Sequence, residues 1–230
     1  MLRAARNLEQ IQLGVDTALD GAAFEDPKTA ELAAEALRMV PKEVLVPHQS
    51  RLLELLEMWK HRGSWCYGCG RVVLGSFCEN CRVVPPQPRE HLVYLAFKAG
   101  ALNLQDLLRL ANEQGFKSAD AATKSLSNWA FADPKIMRAI IEQIDAELGP
   151  NELIEEILRQ PADKLQNNSD ELFSLLSSNS AVARARVIES LSSGWVAADL
   201  AKASAKKALE DISPFVRSAA ARFLRTQSSI

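Results

Sequence analysis

The sequence predicts a mainly α-helical protein with one small cysteine-bearing module set into it. Three observations lead there. Aromatic residues make up 6% of the chain while alanine and leucine abound, which favours helix over sheet. Apolar residues recur at helical spacing through most of the length. One segment, Gly63 to Pro88, drops that period and turns rich in Gly, Cys, Val and Pro.

Taken in order, Leu8, Ile11, Val15, Ala18 and Leu19 share one face of a first helix, and Gly21 marks its end. Asp26-Pro27 opens a second, whose apolar stripe reads Leu32, Ala33, Ala36, Leu37 and Val40. Pro27 suits the first helical turn, where its missing N–H is harmless. Pro41 and Pro47 break the chain again, and Gln49 to His61 forms a third helix carrying Leu52, Leu53, Leu55, Leu56 and Trp59. Val72 to Leu74, Gly75-Ser76 and Phe77 suit a minimal hairpin, and Pro85, Pro86 and Pro88 a stiff exit linker. Helices resume near Arg89 and run on, punctuated by Gly100, Gly115, Pro134, Gly149-Pro150, Pro161 and Gly194. The organisation is therefore an N-terminal helical region (1–62), a metal module with a proline-rich linker (63–88), and a C-terminal helical region (89–230).

Hydrophobic residues at 47% and charged residues at 24% are ordinary globular values. A net charge of −2 excludes a uniformly basic nucleic-acid binder but leaves room for local basic patches. No apolar run follows the N-terminal arginines, and no stretch approaches the ~18 apolar residues of a membrane helix. The expectation is a cytoplasmic protein with reduced thiols. Four clustered cysteines in such a compartment read as metal ligands rather than disulfides.

Those cysteines are Cys66, Cys69, Cys78 and Cys81, two Cys-x-x-Cys pairs that use every cysteine in the chain. Each pair sets two thiolates in one tight turn, and two facing turns make the closed tetrahedral sulfur set that zinc prefers in structural sites. Gly70, directly after the first pair, permits the left-handed backbone such a turn needs. Iron offers the same ligand set, and a redox dithiol pair is a third reading. The motif resembles the zinc-ribbon and zinc-knuckle group, which implies one structural Zn2+ on these four ligands. The short connection between pairs favours two knuckles around a hairpin over a full three-stranded ribbon. Four thiolates leave no position for water, so a catalytic zinc is not expected. His61 and His91 flank the module and stay outside the ligand set.

The C-terminal part is internally similar. Leu176-Ser-Ser-Asn-Ser-Ala-Val-Ala-Arg184 leads into a helix reaching Leu191, and Leu209-Glu-Asp-Ile-Ser-Pro-Phe-Val-Arg217 leads into one reaching Leu224. Arg184 and Arg217, and Leu191 and Leu224, both lie 33 positions apart. Asp211, Pro214, Val216, Arg217, Ala220 and Leu224 resemble the HEAT-repeat pattern over about 175–225. Looser echoes stand at Asp26-Pro27 and Asp133-Pro134. The resemblance implies a short α-solenoid that binds partners on an extended face, with Arg184 and Arg217 as framework residues.

Charge is uneven. From 60 to 98, Lys60, Arg62, Arg71, Arg82, Arg89 and Lys98 face only Glu79 and Glu90, and 181–225 has a similar basic excess. Around the cysteines, Arg62, Trp65, Tyr67, Arg71, Arg82 and Phe77 could touch a partner or stack on nucleic acid. Residues 102–129 also resemble a helix-turn-helix, with Gly115 in the turn and Ser118 capping the second helix. That helix offers Thr123, Lys124, Ser125, Ser127 and Asn128 but no arginine, so an ordinary helix pair is the simpler reading. No phosphate loop, nucleophile motif or histidine constellation is present, which argues against an enzyme and a small-molecule substrate. The function expected is a non-enzymatic adaptor that binds a partner protein or assembly. The alternative is a nucleic-acid-binding or transcription-related protein.

Overall fold

A computed structural model describes residues 2–62, 64–73, 78–83, 85–113, 117–146 and 151–227. The fold is mainly α, and it divides into two compact units, residues 1–125 and 126–230. No helix among the described residues is long and apolar enough to cross a membrane.

The first unit contains α1 (Leu2–Ala22), α2 (Pro27–Ala36), α3 (Lys42–Leu45), α4 (Gln49–Arg62), α5 (Pro88–Ala99), α6 (Leu104–Ala111) and the start of α7 (Lys117–Ala132). α5 is its centre. Leu92, Val93, Leu95 and Ala96 are fully buried, and no residue of the helix is fully exposed, because α2 and α4 pack against it. Gly100 closes α5 in the left-handed region, as a helix C-terminus favours. Leu52, Leu55, Leu56 and Trp59 of α4 are buried as the sequence pattern predicts, and the Trp59 indole N–H donates to the Ala22 carbonyl at 2.8 Å. Leu53 faces outward.

Two stripes sit differently from the sequence expectation. α1 buries Val15 and Leu19 but exposes Ile11, and Leu8's side chain lies outside the described residues. α2 buries Pro27, Ala30 and Ala34, and Leu37 at its C-cap is buried too, whereas Leu32 is 52% exposed and Ala36 is also exposed. The reason is close packing. A Cβ added at Gly21 would stand 3.0 Å from the Ala33 Cβ, so α1 and α2 meet through small residues and the larger leucine is turned away. Gly21 thus marks the end of α1, which stops at Ala22, and is also its contact residue against α2.

The second unit takes the rest of α7, then α8 (Pro134–Asp145), α9 (Asn151–Leu158), α10 (Ala162–Asn167), α11 (Ser169–Ser174), α12 (Ala181–Ser190), α13 (Ala198–Ala208) and α14 (Pro214–Gln227). Met137, Ile140, Leu153, Leu165, Leu172, Val187, Ile188 and Trp195 build its core. Gly115, Gly149 and Pro150 lie outside the described residues.

The 33-residue similarity is structural as well as sequential. Arg184 Nη1 donates to the carbonyls of Ser178 and Asn179 at 2.7 and 3.1 Å, six and five residues back. Arg217 Nη1 does the same to Asp211 and Ile212, at 2.8 and 2.9 Å. The Ser178 side chain accepts from Ser180 N–H, and the Asp211 side chain from Ser213 N–H, again 33 apart. α12 and α14 begin at equivalent positions, Ala181 and Pro214. The two 33-residue repeats, both within the second unit, are joined by a two-pronged pair: Arg184 Nε and Nη2 donate to Asp211 Oδ2 and Oδ1 at 2.8 and 2.9 Å. The two looser echoes are of another kind. Asp26 and Asp133 sit directly at helix N-caps, accepting from Thr29 and Lys135 N–H.

Candidate metal centre

Backbone geometry brings the four cysteines together. Cys66 N–H donates to the Arg71 carbonyl at 2.9 Å, and Gly70 N–H to the Cys66 carbonyl at 2.7 Å. Twelve positions on, Cys78 N–H donates to the Val83 carbonyl at 2.9 Å, and Arg82 N–H to the Cys78 carbonyl at 2.7 Å. The two turns are copies. In each, the residue after the second cysteine is left-handed: Gly70 at φ 67° and Arg82 at φ 53°. Short strands β1 (Ser64–Trp65) and β2 (Val72–Val73) pair antiparallel, Ser64 with Val73 and Trp65 with Val72, and fix the first turn. A single bridge between Cys78 and Val83 fixes the second. The expected hairpin through Leu74, Gly75, Ser76 and Phe77 lies outside the described residues.

The four Sγ atoms lie within 4.8 Å of one another, and Cys69 to Cys78 is 3.7 Å. A disulfide needs about 2.05 Å. Four sulfurs around one ion at a metal–sulfur distance of about 2.3 Å stand roughly 3.8 Å apart, close to the 3.7 Å between Cys69 and Cys78 and within the 4.8 Å that bounds the set. Charge makes the same point. The Arg71 backbone amide holds the Cys69 thiol down to about 7, while hydrogen bonding to Cys69 pushes Cys81 up to about 12. The sulfurs compete for negative charge, and a shared cation removes the competition. These residues fit a bound metal ion.

Gly68 completes the site, and the ligand spacing alone did not single it out. A Cβ there would lie 2.8 Å from Cys81 Sγ, 3.2 Å from Cys81 Cβ and 3.7 Å from Cys66 Sγ. The x-x of the first pair had to include a glycine because the second turn packs directly on it. The signal was present in Cys-Tyr-Gly-Cys, but its meaning depends on how the turns face.

The module is fastened to the first helices. The Tyr67 hydroxyl donates to Asp26 Oδ1 at 2.8 Å, while Asp26 Oδ2 accepts from Thr29 N–H and Oγ1 at 2.8 and 2.7 Å. Those Thr29 bonds first, and Tyr67 after them, hold the Asp26 carboxyl down to about 2. Arg62 Nη1 donates to the Ala23 carbonyl at 2.9 Å, with its guanidinium 5.6 Å over the Trp59 ring. Gln87 N–H donates to Glu31 Oε1 at 2.8 Å. The expected exit linker is no free spacer: Pro85, Pro86, Gln87 and Pro88 are all buried.

The basic excess is largely spent inside the unit. Lys60, Arg89 and Arg109 surround the Glu113 carboxylate, and Lys98 Nζ donates to the Arg38 carbonyl. Arg71 and Arg82 remain exposed, one on each turn. Trp65 is described only through its β1 backbone. In the helix-turn-helix-like segment, Thr123, Ser125 and Ser127 are buried, leaving Lys124 and Asn128 outward. Gly115 and the Ser118 side chain lie outside the described residues.

No protein-family model matches the chain, and no curated protein or solved structure is similar to it at a significant level.

Proposed function

We propose that the protein is a non-enzymatic adaptor of the cytoplasm, in which one structural zinc ion stiffens a knuckle and a HEAT-like helical stack receives a partner protein. The observation that carries this is the 33-residue recurrence of the arginine turn clamp, joined by Arg184 and Asp211. Such recurrence builds a stack with an extended face rather than a pocket. The metal reading supports it. Cys66, Cys69, Cys78 and Cys81 would hold the ion, and four thiolates fill a tetrahedral shell, so the ion supplies rigidity and no reactive position. The thiolate donor set and spacing suit zinc, with iron as the competing occupant.

The nucleic-acid alternative draws less support. Four of the six basic residues from 60 to 98 are engaged within the fold, and three polar residues of the would-be recognition helix are buried. Arg71 and Arg82 alone are few for a phosphate-tracking surface.

Two measurements on the full chain test the proposal. Elemental analysis should return one zinc per chain; clearly less, with freely titratable thiols, rejects the site. Affinity purification with quantitative mass spectrometry should recover a stoichiometric protein partner. A gel shift of DNA or RNA at low salt, abolished by Arg71→Glu with Arg82→Glu, would replace the adaptor reading.

A further inference from the structure

We propose that Leu209, Ile212, Phe215 and Arg217 form a docking surface for a helical hairpin of a partner protein whose turn presents an aspartate. The inference names the partner chemistry of the adaptor reading and rests on it. It follows from comparing the two 33-residue units position by position.

In the first unit, Arg184 uses Nη1 to clamp its own turn and the Nε/Nη2 fork to grip the carboxylate of the next unit's turn. In the second, Arg217 clamps its own turn with Nη1 in the same way. Its Nε/Nη2 fork has no partner among the described residues, and the side chain is exposed. The positions around it tell the same story. Leu176 and Val182 are half-buried in the first unit, while their equivalents Leu209 and Phe215 are exposed. Ile212, in the turn that Arg217 clamps, is 91% exposed; its equivalent Asn179 is polar and exposed as well, so the second repeat adds here an apolar side chain that the first junction does not use. Ala185 is fully buried, and its equivalent Ser218 is exposed but still small enough for a close helix approach. The positions that are buried or half-buried in the first repeat as Arg184, Leu176, Val182 and Ala185 are therefore exposed in the second as Arg217, Leu209, Phe215 and Ser218, a cation with apolar side chains and a small residue in the same arrangement and Ile212 added beside them.

The complement of that surface is known from the first junction: a carboxylate two residues before the residue that precedes a helix, as Asp211 stands to Ser213 and α14. A second copy of this chain fits poorly. Asp211 is already engaged by Arg184, and the equivalent turn position in the preceding unit is Ser178, which has no carboxylate.

The test adds a fluorescent synthetic peptide of residues 195–227, which carries the complementary turn, to the full chain. Saturable binding should weaken about tenfold or more with Arg217→Ala in the chain or Asp211→Asn in the peptide, the loss of a charged two-pronged hydrogen bond. Ile212→Glu, at a position too exposed to disturb folding, should weaken it as well. Three results overturn the proposal: no saturable binding, binding sensitive to Arg184→Ala but not to Ile212→Glu (exchange with the chain's own unit), or self-association of the full chain that Ile212→Glu abolishes. A full chain carrying 195–227 twice in tandem tests the same contact at high effective concentration, and an added unit that stays unfolded also overturns it. Any of these removes this surface while leaving partner recovery by the intact chain as a separate outcome.

Discussion

Gly68→Ala should damage the metal centre without replacing a ligand. The added Cβ would stand 2.8 Å from Cys81 Sγ and 3.2 Å from Cys81 Cβ. Ordinary contact begins near 3.4 Å, so the sulfur must retreat by more than half an ångström. Structural metal–ligand distances tolerate about 0.2 Å, so retreat breaks the coordination shell before it relieves the clash. Overpacking of this kind costs about 1–3 kcal/mol, or roughly five- to 150-fold in metal affinity. The assay is competition for zinc against a chromophoric chelator, with thermal melting alongside. Gly70→Ala is the matched control. Nothing lies within 4 Å of its added Cβ, and only the left-handed φ of 67° is strained, at about 1–2 kcal/mol. Gly68→Ala should lose zinc at chelator concentrations where Gly70→Ala still holds it. Equal zinc affinity in Gly68→Ala and the natural chain would refute the facing arrangement of the turns.

Other outcomes follow from the same geometry. Arg82→Gly relieves a left-handed non-glycine residue and should raise stability by about 0.5–1 kcal/mol in urea unfolding, with zinc content unchanged. Asp211→Ala strands the Arg184 fork between the two 33-residue repeats and should cost about 2–4 kcal/mol by the same measurement. The Arg184 hydrogen bonds lower the Asp211 carboxyl below its ordinary value, so its contribution is complete above about pH 4 and fades as pH falls below that; Asp211→Asn should flatten the acid limb of the stability profile. Asp26 behaves likewise, losing its contribution as pH falls from about 4 through about 2, and Tyr67→Phe should expose the module to limited proteolysis at neutral pH.

What was legible in the sequence was what short-range chemistry decides. Two Cys-x-x-Cys turns carry their ligand geometry within a few residues, and Arg184 and Arg217 announce a repeat by spacing alone. Helical periodicity found α4 and the Val15–Leu19 face of α1. The stripe of α2 was misplaced because Gly21 and Ala33 let two backbones approach, which turns Leu32 outward. A count of charges from 60 to 98 could not see Glu113, which neutralises Lys60 and Arg89 from outside that window. Nor could it see Tyr67 reaching Asp26 across 41 residues. Gly68 and the Asp211 grip on Arg184 share that property. Their meaning lies in which segments face each other.

The burial of Pro85 to Pro88 has a kinetic consequence. The chain leaves the metal module straight into α5, the helix on which the first unit's core is assembled, and α5 must come to rest beside α4. The whole module is thus a loop that has to close before that core exists. Closing it costs entropy that grows with the logarithm of its free length. A cation gathering Cys66 through Cys81 within 4.8 Å leaves only a few unconstrained residues on either side. Metal capture early in folding would bring α4 and α5 within reach of each other, so a shortage of the metal should be felt as slow core assembly far from the sulfurs themselves.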